Sequence, residues 1–282
     1  MTSFVRIASV NVNGIRAAYR KGMGDWLDAC GADIVALQEV RADRSHVDQL
    51  VPDDWHVLLE ESPYKGRAGV ALLSRVAPLE YRVGVGGDEA DSGGRWLEAD
   101  YRVADGTEVT VVSVYMHSGE VDTPRQEAKW AMLDAMTERL NELHDSGKNV
   151  VVVGDLNVGH RELDIKNWRG NRKKSGFLPR ERAYFDRFFG ERGGEIECVD
   201  GSVGTGLGWI DVGRRFAGEV DGPYTWWSNR GQAFDNDTGW RIDYHLVTAA
   251  MADRVRDYRV DRYPSYDARW SDHAPVIADY EL

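Results

Sequence analysis

Asp155 and Asn157 flank a single leucine just behind the run Val150-Val-Val-Val153, with Gly154 as the break. Alternation along an extended backbone would point a carboxylate and a carboxamide the same way. Other apolar runs finish in the same manner. Asn11 and Asn13 alternate behind residues 5–10, Glu39 closes residues 33–38, and Tyr115 ends a β-branched run beside His117. Asp243 lies in the otherwise packed stretch Gly239-Trp-Arg-Ile-Asp-Tyr244, and Ser271-Asp-His273 precedes the last apolar run. Collected, Asn11, Glu39, Tyr115, Asp155, Asn157, Asp243, Asp272 and His273 form a hydrolytic inventory with no obvious serine or cysteine nucleophile. Carboxylates and carboxamides with one imidazole suit a hard divalent cation such as Mg²⁺. Mg²⁺ with an activated water is an arrangement for attack on a phosphate ester. Zinc would call for more histidines at ligand spacing. The alternative is plain: strand ends carry Asp and Asn as turn formers.

Four consecutive valines cannot make an amphipathic surface, so they read as a strand buried on both faces. Further strands are expected over residues 5–12, 33–39, 55–60, 69–74, 79–85, 96–102, 109–116, 224–228, 239–247 and 274–280, with a loop over 84–94. One helix is expected after Gly14, through Trp26, Leu27 and Ala29, stopping at Gly31. A second starts at Thr123 with Pro124 in its first turn and runs to about residue 144 on the spacing Ala128, Ala131, Met132, Ala135, Leu140. Residues 181–189 read as a third. The glycine-rich region 190–222 gives no assignment. With no linker, repeat or low-complexity tract, residues 1–282 are expected to form one domain. Many strands with few helices imply two packed sheets covered by helices.

The chain is 42% hydrophobic and 29% charged, ordinary for a globular protein with a substantial core. Its two cysteines, Cys30 and Cys198, are too few for a disulfide scaffold or a structural zinc site. With no signal-peptide pattern and no long apolar stretch, the expected setting is the cytoplasm, away from membranes. The net charge of −12 argues at first against a nucleic-acid partner. Arg169, Arg172, Lys173, Lys174, Arg180 and Arg182 nevertheless crowd one segment, against the single acid Glu181. Such a run is either a solvated loop or a phosphate-binding face, and both readings stay open.

Taken in order, Ser9-Val-Asn-Val-Asn-Gly-Ile-Arg16, Leu37-Gln-Glu39, Gly69-Val-Ala-Leu-Leu-Ser74, Tyr115, Gly154-Asp-Leu-Asn157, Gly239-Trp-Arg-Ile-Asp-Tyr244 and Ser271-Asp-His273 resemble the exonuclease–endonuclease–phosphatase superfamily. Within it, the chain is most similar to the exodeoxyribonuclease III group of apurinic/apyrimidinic (AP) endonucleases. The resemblance implies a four-layer α/β sandwich, two packed mixed β-sheets flanked by helices, with the site at one edge. It implies a Mg²⁺-dependent repair nuclease, with Mn²⁺ as a substitute. Such an enzyme cleaves duplex DNA 5′ of abasic sites and also trims or cleans 3′ ends. It would act as a monomer, nucleoid-associated if bacterial. By position, Glu39 would be the main metal ligand with Asn11 close by. Asp155 would hold or deprotonate the attacking water, oriented by Asn157. His273 would contact the phosphate, positioned by Asp243. Tyr115 would donate to the phosphate or the leaving oxygen. Asp272 lies near a second metal position, to which Asp155, Asn157 and His273 would also contribute. Trp226, Trp240 and Ile242 match a pocket for a flipped, baseless sugar, and Asn171, Arg172, Lys173 and Lys174 would meet the DNA. Between the pocket strands, Asn229, Phe234 and Asp237 depart from the usual Tyr, Arg and Asn. The segment after Tyr115 differs as well. The competing readings are a phosphoesterase of the same superfamily acting on another phosphate ester, and a non-catalytic DNA-binding relative.

Overall fold

The structure, a computed structural model, describes residues 4–85 and 93–282. Two six-stranded mixed sheets form its centre. The first is built from β1 (Phe4–Asn11), β2 (Ile34–Gln38), β3 (His56–Glu60) and β4 (Val70–Ser74), joined by the C-terminal hairpin β13 (Val255–Val260) and β14 (Val276–Glu281). The second contains β5 (Glu80–Val83), β6 (Trp96–Arg102), β7 (Glu108–Tyr115), β8 (Asn149–Asp155), β11 (Ile210–Asp211) and β12 (Asp243–Val247). A small hairpin, β9 (Glu195–Glu197) with β10 (Val203–Thr205), lies outside both. The helices are α1 (Ile15–Arg20), α2 (Met23–Ala29), α3 (Arg44–Leu50), α4 (Pro124–Asp145), α5 (Trp168–Asn171), α6 (Pro179–Phe189), α7 (Val212–Ala217) and α8 (Ala249–Ala252).

Strand alternation sorts the apolar side chains into layers. Val151 and Val153 face the first sheet, where they join Ile7, Ile34, Ala36 and Leu72. Val150 and Val152 face outward, under Met132, Met136 and Leu140 of α4 and Phe185 and Phe188 of α6. On the far side of the first sheet, Ala8, Val10 and Leu37 meet Ile15 and Ala18 of α1, Leu27 of α2 and Val47 of α3. Helix, sheet, sheet, helix: the four expected layers are present. Both sheet faces of β8 are dry because each packs against a separate apolar layer.

Toward one end the inter-sheet core turns polar. The Gln38 amide donates to Ser9 Oγ at 3.2 Å and Ser113 Oγ at 3.1 Å, all three side chains being buried. One step further along the same strands lie the residues of the site.

Several expectations need correction. The helix expected between Gly14 and Gly31 is two helices, α1 and α2, broken where Gly22 takes φ 110°. Residues 224–228 form no strand. Trp226 makes only single bridge pairings, to Trp240 and to His273, and regular pairing in β12 starts at Asp243 rather than Gly239. Region 190–222 holds β9, β10, β11 and α7. The loop expected over 84–94 falls mostly on residues outside those described. Among the described residues, no helix is long and apolar enough to cross a membrane.

Candidate active site

Sheet register sets the first three positions. Tyr115 pairs with Asp155 across β7 and β8, and Asp155 with Asp243 across β8 and β12, which makes one row at the sheet's end. In the first sheet Asn11 pairs with Gln38, so Glu39 follows directly beyond the ladder. The Asn11 amide joins the two sheets. Its Nδ2 donates to Asp155 Oδ2 at 2.9 Å and to Glu39 Oε1 at 2.8 Å, while its Oδ1 accepts from the Asn13 N–H at 2.9 Å.

A second line of contacts reaches Asp155 from the C-terminus. His273 Nδ1 lies 2.9 Å from Asp243 Oδ2, and Thr225 Oγ1 donates to the same oxygen at 2.6 Å. This leaves His273 Nε2 facing Asp155, 3.8 Å from its Oδ2. A carboxylate fixing an imidazole in this way sets which nitrogen points into a site. Asn157 closes over the other side. Its backbone N–H donates to Asp155 Oδ1 at 3.0 Å, and its Nδ2 donates to Asp155 Oδ2 at 3.1 Å and to the Met116 carbonyl at 2.9 Å. Asp272 accepts from Asn13 Nδ2 at 2.9 Å and Trp226 Nε1 at 3.1 Å.

The backbone here is held in sparsely populated conformations. Asn13, Glu39, Arg41 and Asn157 have φ between 46° and 52°. Asparagine tolerates this region; Glu and Arg do so at a cost of about 1–3 kcal/mol. Interlocked turns hold the pair in place, with Val12, Gly14 and Ile15 N–H donating to the carbonyls of Gln38, Glu39 and Val40 at 2.9, 2.8 and 3.0 Å. Gly154 answers a different demand. At φ 146°, a Cβ there would sit 1.9 Å from the Val114 carbonyl oxygen, so only glycine lets β8 run this close to β7.

Four carboxylates, Glu39, Asp155, Asp243 and Asp272, converge on one imidazole and on Arg41, whose guanidinium contacts Glu39. Burial pushes the Asp155 carboxyl up to about 7, and Asp243 and Glu39 add to it against the pull of His273 and Asn11. Burial works against charge on His273 as well, but Asp243 and Asp155 outweigh it and raise the imidazole to about 10. Burial raises the Tyr115 hydroxyl too, helped by Glu39 and Asp155, so it stays a proton donor. Ligand atoms of Asp155, Asp243 and His273 all lie within 4.8 Å of one another. Excess negative charge borne on oxygen is the chemistry a hard divalent cation neutralises, so the donor set fits one.

The remaining candidates divide. Trp226 and Trp240 are half-buried and meet edge to face with centroids 6.1 Å apart, and the Trp226 ring lies 6.4 Å from His273. Ile242 is buried behind them, its N–H bonded to Thr225 Oγ1. Arg172, Lys173 and Lys174 are exposed; Asn171, at the end of α5, donates to the Asn167 carbonyl and is half-buried. Sequence reasoning missed Thr225, Arg41 and two basic clefts. A cleft of about 460 Å³ beside Tyr115 is lined by Arg67, Arg95, Arg125 and Tyr64. Another of about 670 Å³ beyond it is lined by Arg16, Arg41, Lys65 and Arg67. Apart from Arg16, which ends the Ser9–Arg16 stretch, no local pattern marked these arginines, because they come together only in the fold.

The sequence matches the endonuclease/exonuclease/phosphatase family over residues 8–273, a span that holds every residue of the cluster from Asn11 to His273. The chain belongs to that family. An exodeoxyribonuclease of Bacillus subtilis (strain 168) is 34% identical over 273 residues, covering 96% of this chain and 98% of the relative. Among solved structures, an AP endonuclease from Archaeoglobus fulgidus aligns with TM-score 0.79 and 25% identity, over 99% of this chain and 100% of its own. A 3′ phosphatase, NExo, from Neisseria bound to a product DNA hairpin aligns with TM-score 0.79 and 27% identity over the same shares. These place the chain in the exodeoxyribonuclease III and AP endonuclease branch of the endonuclease/exonuclease/phosphatase family, as a hydrolytic enzyme of the nuclease kind.

Proposed function

We propose that this protein is a Mg²⁺-dependent DNA repair nuclease, formed by a single catalytic domain and acting as a monomer in the cytoplasm. It cuts duplex DNA 5′ of abasic sites and removes nucleotides or blocking groups from 3′ ends. One observation carries the reading. Asp155 is buried between two donating carboxamides, Asn11 and Asn157, and faces the free nitrogen of a histidine already fixed by Asp243. That is a water-holding carboxylate opposite a phosphate-binding imidazolium.

Asp155 takes the proton as the water oxygen bonds to phosphorus, a role suited to a carboxyl raised to about 7. Asn157 keeps the carboxylate turned toward the water. His273, protonated, donates from Nε2 to a phosphoryl oxygen on which charge develops. The P–O3′ bond breaks, and the Tyr115 hydroxyl donates to the phosphate or to the leaving oxygen. Glu39, supported by Asn11, would hold Mg²⁺, with Asp272 toward a second position; Mn²⁺ would substitute. When bound, the ion supplies charge neutralisation at the phosphate and lowers the pKa of a bound water. Asp243 is better assigned to the imidazole, since His273 and Thr225 already occupy its oxygens.

Trp226 and Trp240, backed by Ile242, form the apolar wall against which a sugar without a base would rest. The arginine clefts and residues 171–174 give phosphate contacts that a small phosphate ester would not use. The test is a duplex with one abasic site, with Mg²⁺ and with EDTA. A single incision 5′ of the site, abolished by EDTA and restored by Mg²⁺, is expected. Intact DNA in Mg²⁺, or equal cutting in EDTA, refutes the reading. Trp240→Ala should lower abasic incision while narrowing the preference over undamaged DNA.

A further inference from the structure

The lone acid of the basic run, Glu181, is not a solvent-facing counterweight. It is fully buried, and its Oε1 lies 2.8 Å from Nζ of Lys129 on α4, which is also fully buried. Lys129 in turn donates to the Asn157 carbonyl at 2.9 Å and toward the Ser118 carbonyl at 3.4 Å. Glu181 accepts from the backbone N–H of Gly176 at 2.7 Å and of Leu178 at 3.0 Å, and from Gln126 Nε2 at 3.1 Å. The pair therefore ties together the turn after β8, the loop after β7 and the end of the basic run.

The packing around it leaves no slack. A Cβ on Gly119 would meet Ser175 Oγ at 2.3 Å and Lys129 Cδ at 3.0 Å. A Cβ on Gly176 would meet the Trp240 ring at 2.8 Å and the Asn157 carbonyl at 3.2 Å. A buried ion pair is a weak source of stability, and well-packed apolar replacements often serve as well. What an apolar pair cannot do is hold main-chain carbonyls. Asn157 needs such a hold, because it sits at φ 50° with its side-chain amide on Asp155.

We propose that Lys129, neutralised by Glu181, is a positioning residue for the reaction, holding the Asn157 backbone so that its amide stays on Asp155. The proposal rests on the nuclease reading above. Lys129→Met alone strands a buried carboxylate, so the test uses Lys129→Met with Glu181→Gln. Single-turnover rates are measured at saturating abasic duplex in Mg²⁺, affinity is measured separately in EDTA, and both are repeated in an Asn157→Ala background. The double variant should be slower by about tenfold or more with affinity changed less than about threefold, a loss confined to the chemical step. In the Asn157→Ala background the same change should cost no more than about twofold, because residues acting through one another are not additive. A rate within about twofold of wild type, a loss wholly in affinity, or full multiplication with Asn157→Ala overturns the proposal. If the double variant does not fold, Lys129→Leu with Glu181→Gln, which also removes the donor to the Asn157 carbonyl, is judged by the same cycle. Wild-type protein that leaves the duplex intact would instead refute the nuclease reading itself.

Discussion

Arg241 and Asp243 are separated by one residue, yet they belong to two buried charge clusters of opposite make-up. Arg241 donates to Asp164 at 2.7 Å and to Asp211 at 2.7 and 3.0 Å, and Arg214 joins Asp164 from the other side. Two cations face two anions. Against the effect of burial, Arg241 and Arg214 hold the Asp164 carboxyl down at about 2. Around Asp243 the carboxylates outnumber their cations, and burial with like charge drives Asp155 the other way. Equal burial thus gives opposite shifts, and the difference is the presence or absence of matched guanidinium groups. A balanced cluster holds the fold, whereas an unbalanced one is available to bind a cation and a proton.

The largest expected effect breaks the unbalanced side. Asp155→Asn should cut single-turnover incision by about 10²–10⁴-fold, the usual loss for a positioned base. Its melting temperature should hold or rise. Because the folded carboxyl is raised above its ordinary value, its contribution to stability is lost as pH climbs through about 7. The gain from Asn is therefore greatest above that pH. A variant that melts far lower would place Asp155 with the balanced cluster.

Arg241→Met tests the other side. Removing one cation leaves Asp164 and Asp211 buried and short of partners, and urea unfolding should show a loss of about 3–5 kcal/mol. At temperatures where the variant is folded, incision should stay near wild type. Glu39→Gln comes next. It should raise the Mg²⁺ needed for half-maximal rate and recover in part at high Mg²⁺, read from titrations at fixed DNA. Neutralising Arg172, Lys173 and Lys174 together should flatten the salt dependence of DNA affinity by about one unit of slope for each phosphate no longer neutralised, with little change in rate at saturation.

The smallest effect sharpens the comparison with a third case. Glu60 is raised to about 7 by burial, against hydrogen bonds from backbone N–H groups such as that of Trp96 at 3.1 Å. A raised carboxyl binds more protons folded than unfolded, so its stabilising share is full in acid and lost as pH rises through about 7. Glu60→Gln should melt on the order of 2 °C higher than wild type at pH 8 and equal to it in acid, by scanning calorimetry.

Strand ends were legible in the sequence because a polar residue behind a doubly buried run stands out. Asn11, Glu39, Asp155 and Asn157 were all found that way. The edge strands β3 and β5 were legible too, but the edge strand β13 and the helix α3 were not. β13 pairs with one neighbour only and carries Arg256, Asp257 and Arg259, so its apolar signal is diluted. In α3 only Val47 is buried, and the mark of its start was Asp43, which caps the His46 N–H at 3.1 Å. Residues 224–228 had strand composition without a ladder to join. Nothing in the sequence singled out Lys129 on α4, since its partner lies on another helix far along the chain. Thr225 was invisible for the same reason, its hydroxyl having meaning only beside Asp243.

Gly154 and the row Tyr115, Asp155, Asp243 have a consequence for how this gene can change. The four valines of β8 are alike to the hydrophobic effect, and a swap for an apolar residue of like volume would trouble the core only mildly. Their number is another matter. Deleting one codon would leave an equally oily strand, but every residue behind it would exchange faces. Glycine would no longer meet the Val114 carbonyl, and the carboxylate would leave its row. Within this strand, spelling is free and counting is not.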